Sequence, residues 1–166
     1  FSDAGIDMVM TYDPLGVPSA FPDATRNPTS GLLEGNLTAI DAEHAYWVQA
    51  SAFVTLSVDI PPAAFALVPA TVELSKRWNL IPVIDVATSA ADTAKPASAF
   101  FASLGDDFAT ALTWSTEANA WIKIQTTAEA GDAAGSLDSD SDKVDDEVLV
   151  GRGYWVFMTA TATLVP

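Results

Sequence analysis

The chain has 166 residues, 22 Asp and Glu against 7 Lys and Arg for a formal charge of −15, one His and no Cys. This length suits one ordinary domain or two small units with a core of their own. The charge argues against nucleic acid or an anionic membrane surface as a partner, and the lack of Cys excludes disulfides, thiolate nucleophiles and Cys-based zinc sites.

In chain order, Gly5-Ile6-Asp7-Met8-Val9-Met10 reads as an opening strand. Pro14 to Gly31, with Pro14, Pro18, Pro22 and Pro28, reads as loop. The run from Tyr46 to Val58 is a strand, Phe65–Val68 and Thr71–Leu74 are short strand candidates, and Arg77–Val83 opens a second half. Lys95 to Leu104 predicts a short helix, with Pro96 in the first turn, Phe100, Phe101 and Leu104 on one face and Gly105 as its stop. Phe108–Trp114 and Ala120–Gln125 alternate around the polar turn Ser115–Asn119, as a hairpin does. The segment 126–147, rich in Ala, Gly, Ser and Asp, reads as an exposed acidic loop.

An internal repeat organises these pieces. Tyr46-Trp47-Val48 and the ten residues after it match Tyr154-Trp155-Val156 and its sequel at an offset of 108, with Tyr, Trp, Val, Ala, Thr and Leu coinciding. The expected architecture is mainly β: two related barrel- or sandwich-like halves from an internal duplication, with one short helix in the second. Residues 1–62 form the first repeat, 63–76 a crossover and 77–166 the second repeat, which carries the helix, the hairpin and the acidic loop. If Ile6 corresponds to Trp78, the second copy holds an insertion of about 36 residues ahead of its Tyr-Trp pair.

Arg77-Trp78-Asn79-Leu80-Ile81, Ala45-Tyr46-Trp47-Val48 and Gly153-Tyr154-Trp155-Val156 resemble the motifs that open and close tandem β modules in secreted and cell-surface proteins of archaea and bacteria. The resemblance covers about two-thirds of the chain. It implies a β-rich extracellular module of a multi-domain surface protein and no catalytic residue. The first half departs from the pattern, with Gly5-Ile6-Asp7-Met8 where Trp-Asn is expected.

Few residues point to chemistry. His44 is the one imidazole, and at the repeat offset it corresponds to Arg152; a shared turn position explains it better than catalysis, which needs a base and an orienting partner together. Asp138, Asp140 and Asp142 alternate, with Asp145 and Asp146 following. Hard cations want several oxygens, so these five are candidate calcium ligands, although Lys143 and Leu149 occupy the positions where a helix–loop–helix calcium motif needs Gly and Glu. The alternative is a solvated acidic loop and no cofactor. Of the five tryptophans, at least three are expected in the core; Trp114 and Trp121, flanking the hairpin turn, are the candidates for a glycan-stacking pair. The adjacent Asp106 and Asp107 read as a turn, because glycosidase carboxyls face each other across a cleft. Asn36-Leu37-Thr38 is a glycosylation acceptor.

The functional expectation is a non-catalytic structural or adhesive module, extracellular or on a cell surface, contacting neighbouring domains or subunits of a surface assembly and not inserted directly in a membrane. A carbohydrate-binding module and a virion component (tail, spike or capsid decoration) are the other two readings. Phe1 is not an initiator Met and no leader pattern follows it, so the chain is expected to be a mature product or a piece of a longer one. Its carboxylates are 16 Asp and 6 Glu against 4 Lys and 3 Arg, a surface suited to high salt, where the screening length falls to about 3 Å at 1 M. The folded state should therefore lose stability progressively as NaCl falls below about 1 M in thermal melts; a melting temperature indifferent to salt would contradict a halophilic origin.

Overall fold

The structure, a computed structural model, describes residues 5–16, 20–41, 44–54, 71–83, 94–127 and 142–166. The chain divides into two compact units, Phe1–Phe65 and Ala66–Pro166. The fold is mainly β, and among the described residues no sheet closes into a barrel.

The first unit is one antiparallel sheet of β1 (Ile6–Met10), β2 (Asp23–Arg26), β3 (Leu33–Gly35) and β4 (Trp47–Ala50), in the order β3-β2-β1-β4. β2 lies inside the proline-rich stretch expected to be loop. The prolines flank the strand without interrupting it: Pro22, which has no N–H to offer, supplies the carbonyl that accepts the Thr11 N–H at 3.0 Å. The Tyr-Trp run is strand only over Trp47–Ala50, and its sequel 55–58 lies outside the described residues, as does the strand candidate at 65–68.

The second unit contains β5 (Val72–Leu74), β6 (Arg77–Pro82), β7 (Ala94–Pro96), α1 (Ala97–Phe100), a 3₁₀ helix (Ala102–Asp107), β8 (Phe108–Ser115), β9 (Ala120–Ile124), β10 (Val144–Asp145), β11 (Glu147–Leu149), β12 (Gly153–Met158) and β13 (Ala162–Leu164). A five-stranded sheet runs β10-β9-β8-β12-β6, and β11-β7 and β13-β5 form two-stranded ribbons. The helical expectation holds in outline, with two corrections. Lys95 and Pro96 are strand, paired with Val148 and Glu147. The helical stretch also breaks at Phe101 and continues as 3₁₀ turns, with Gly105 in the left-handed region at φ 52°. The acidic segment is not loop throughout: β10 adds to the sheet in parallel with β9, and the ribbon strand β11 begins at Glu147.

Strand alternation builds the core. Tyr154, Val156 and Met158 on β12, Ala111 on β8, and Ile122 and Ile124 on β9 point to one face and are buried. Phe100, Phe101 and Leu104 from the helical turns, and Leu74 and Leu164 from a ribbon, belong to the same cluster. Burial of this apolar area is the main stabilising term.

Several local arrangements recur in both units. β1 pairs with β4 as β8 pairs with β12: Trp47 lies opposite Met10 and Trp155 opposite Leu112, and each first strand carries one extra residue, Asp7 or Ala109, at the same point of the ladder. The Thr11 hydroxyl donates to the Ala45 carbonyl at 2.6 Å, and the Thr113 hydroxyl donates to the Gly153 carbonyl at 2.9 Å. The Tyr46 oxygen accepts the N–H of Asp41 at 3.0 Å, and the Tyr154 oxygen accepts that of Leu149 at 2.7 Å, five residues back in both cases. His44 and Arg152 each turn their N–H back onto residue i−3, onto the Asp41 carboxylate and the Leu149 carbonyl. In its pairing β1 thus resembles β8 rather than β6, the strand that the sequence motifs align with it. From the threonine to the Tyr-Trp pair the two units differ by only a few residues, and among the described residues of the first unit no strand pairs with β4 as β6 pairs with β12.

Tyr154 is 0% exposed, and burial, outweighing the opposing Leu149 N–H and Arg152 charge, pushes its phenol up to about 12. The unfolded chain releases this proton near pH 10 and the folded chain near 12, so stability is fully present below pH 10 and declines between these values, by about 2–3 kcal/mol. Urea unfolding at pH 9 and pH 11.5 should show the loss, and Tyr154→Phe should abolish that pH dependence while costing about 1–3 kcal/mol at neutral pH by stranding the Leu149 N–H.

Candidate ligand-binding face

The opposite face of the five-stranded sheet carries the tryptophans. Cross-strand partners share a face, so the pairs Trp114–Trp121, Leu112–Lys123, Leu112–Trp155, Leu80–Trp155 and Trp78–Phe157 place all four tryptophans of this unit together, away from Tyr154 and Val156. Trp78 meets Trp155 edge to face at 6.4 Å between ring centroids and Phe157 at 5.0 Å; Trp114 meets Trp121 at 5.5 Å, nearly perpendicular. The expectation that most tryptophans are core is overturned: none of the five is buried, and Trp121 is 43% exposed. In each Tyr-Trp pair of the repeat the ring that faces inward is the tyrosine.

The first unit has a shorter version of this face. Tyr12 and Phe21, opposite each other at the end of β1 and β2, approach to 5.0 Å, in the place that Trp114 and Trp121 hold on β8 and β9. Both hairpin loops also open alike: Asp13 accepts the Leu15 N–H with its carboxylate, and Ser115 accepts the Ala118 N–H with its hydroxyl.

The other candidate residues have local roles. Asp142 accepts the Val144 N–H at 2.7 Å, and Asp145, buried in β10, accepts the Glu147 N–H at 2.7 Å. The Asp146 carbonyl accepts the Ala97 N–H. Asp138 and Asp140 lie outside the described residues, and among the described residues no three ligating side chains converge. His44 Nδ1 lies 2.8 Å from the Asp41 carboxylate on an exposed turn. The Asp107 carbonyl accepts the Thr159 N–H. The Asn36 side-chain oxygen accepts the Asp23 N–H at 2.8 Å, a bond that does not use Nδ2, the atom a glycan would take.

Asn79 is the residue whose role sequence reading missed. Its side chain accepts the Ser75 N–H at 2.9 Å and donates to the carbonyls of Ser75 and Arg77 at 2.8 and 3.1 Å. It thereby holds the turn that feeds β6, including Arg77 in the left-handed region at φ 86°. Its place between two apolar strand residues was the signal: a buried amide there must be bonded to something.

No protein-family model matches the chain, and no curated protein or solved structure is detectably similar to it. The geometry alone therefore bears on function. It predicts that Trp121→Ala, at an exposed position, costs under about 1 kcal/mol, whereas Trp78→Ala, which removes contacts to two rings, costs about 2–3 kcal/mol. Chemical denaturation of the two variants checks the order.

Proposed function

We propose that the chain is two copies of one β module, serving as a non-catalytic structural and adhesive part of an extracellular surface protein adapted to high salt. One observation carries the reading: every buried polar side chain of the described residues, Thr11, Asn79, Thr113, Ser115 and Asp145, makes a hydrogen bond to the backbone, Asp145 through one of its two carboxylate oxygens. These groups hold strands and turns in place. The recurring register, bulge, threonine bond and tyrosine bond support descent of both units from one module, and the motifs at Arg77–Ile81, Ala45–Val48 and Gly153–Val156 fit the tandem surface modules they resemble.

A second reading, carbohydrate binding, is favoured by Trp114 and Trp121, where an exposed indole stands against a second ring at the end of a hairpin. Sugar faces stack on such rings. Titration of tryptophan fluorescence with a glycan panel in high-salt buffer, with and without calcium, separates the readings. A saturable shift lost in Trp121→Ala assigns the sugar-binding role; no shift with any glycan favours the purely structural one. An enzymatic turnover abolished by His44→Ala would overturn the non-catalytic assignment.

A further inference from the structure

The two units differ most at one edge. In the second, β12 is paired on both sides, by β8 and by β6. In the first, among the described residues, β4 is paired by β1 alone. The register fixes which backbone groups are concerned. The Thr11 N–H points to Pro22, so Met10 and Met8 turn their backbone groups to β4, and Val48 and Ala50 turn theirs to the outer edge. The corresponding groups of Val156 and Met158 face Asn79 and Arg77 of β6, and the ladder continues through the Val83 N–H to the Arg152 carbonyl at 2.9 Å.

Burial differs in the same way. Val156, opposite Asn79, is 0% exposed, whereas Val48 is 41% exposed. Tyr154 is fully buried and Tyr46 only partly; Met158 is buried and Ala50 exposed.

We propose that the outer edge of β4, along Val48–Ala50, is a strand-accepting site for an extended segment of the Arg-Trp-Asn-Leu-Ile-Pro pattern seen in β6, entering antiparallel. This rests on the reading of the two units as copies of one module. The incoming backbone completes the ladder of Val48 and Ala50, the usual mode of edge-strand recognition. Its Trp falls opposite Gln49 and beside Trp47, as Trp78 falls opposite Phe157 and against Trp155; its Leu falls opposite Trp47, and its Ile opposite Tyr46.

The test is calorimetric titration of the full chain, in high-salt buffer, with a capped peptide of residues Ser75–Val83, together with hydrogen exchange resolved at single amides. The expected result is saturable one-to-one binding with exchange at Val48 and Ala50 slowed by about tenfold or more, unchanged exchange in β12, and loss of binding when Trp and Leu of the peptide are replaced by Ala. Three results would overturn the proposal: no binding; Val48 and Ala50 already protected in the free chain at every concentration, which means its own residues fill the edge; or protection that rises with chain concentration alongside a dimer in sedimentation, which means a second copy does. The copy reading has a separate check. If Tyr46→Phe and Tyr154→Phe each destabilise the chain but the peptide does not bind, the two units remain alike and only the strand-accepting edge is lost.

Discussion

A phenol cut off from water must bond its oxygen within the protein, and for Tyr154 the nearest donor is its own chain, five residues back. That bond ties the turn between Leu149 and Gly153 to the first residues of β12, and β12 is the strand on which β6 and β8 both register. The Thr113 hydroxyl holds the neighbouring Gly153 carbonyl from the other side, so the entry to the central strand is fixed at two adjacent residues. Everything the second unit buries is arranged around a strand whose start is set by these two polar contacts.

The same constraint explains why tyrosine faces in and tryptophan faces out. Tyrosine carries its polar atom at the tip of the ring, where a turn five residues upstream can reach it. An indole in that place would need an acceptor for its ring N–H at a different point and angle. Alternation then puts Trp155 on the opposite face, where Trp78 from β6 packs against it.

Much of this was legible in the sequence. The strand character, the hairpin at Ser115–Asn119 and a turn at both His44 and Arg152 follow from alternation and from the spacing of the Tyr-Trp motifs. What sequence reading missed follows from interactions that leave no local pattern. β2 hides among prolines because Pro22, just before it, is needed only for its carbonyl, and not for the N–H it lacks. β10 and β11 lie in acidic sequence and form because other strands offer them an edge. The likeness in pairing between Ile6–Met10 and the first strand of the hairpin leaves no motif in the sequence, whereas Trp-Asn-Leu-Ile is conspicuous. The inward or outward choice within each Tyr-Trp pair was likewise invisible, since either parity satisfies alternation.

Among its described residues the first unit has four strands and a small buried set around Ile6, Val9 and Ala24, while Leu32, Val48 and Phe53 are exposed. An exposed valine on a strand edge that is unpaired among the described residues invites pairing with a second copy of the chain, and the charge of −15 on every copy opposes that at low salt. In concentrated salt this repulsion is screened to about 3 Å, so charge cannot select a partner there. Selection has to come from contact chemistry. In the strand proposed for this edge, the Trp-Asn-Leu-Ile pattern would supply it through an aromatic ring, an amide that holds its own turn, and apolar side chains on either side.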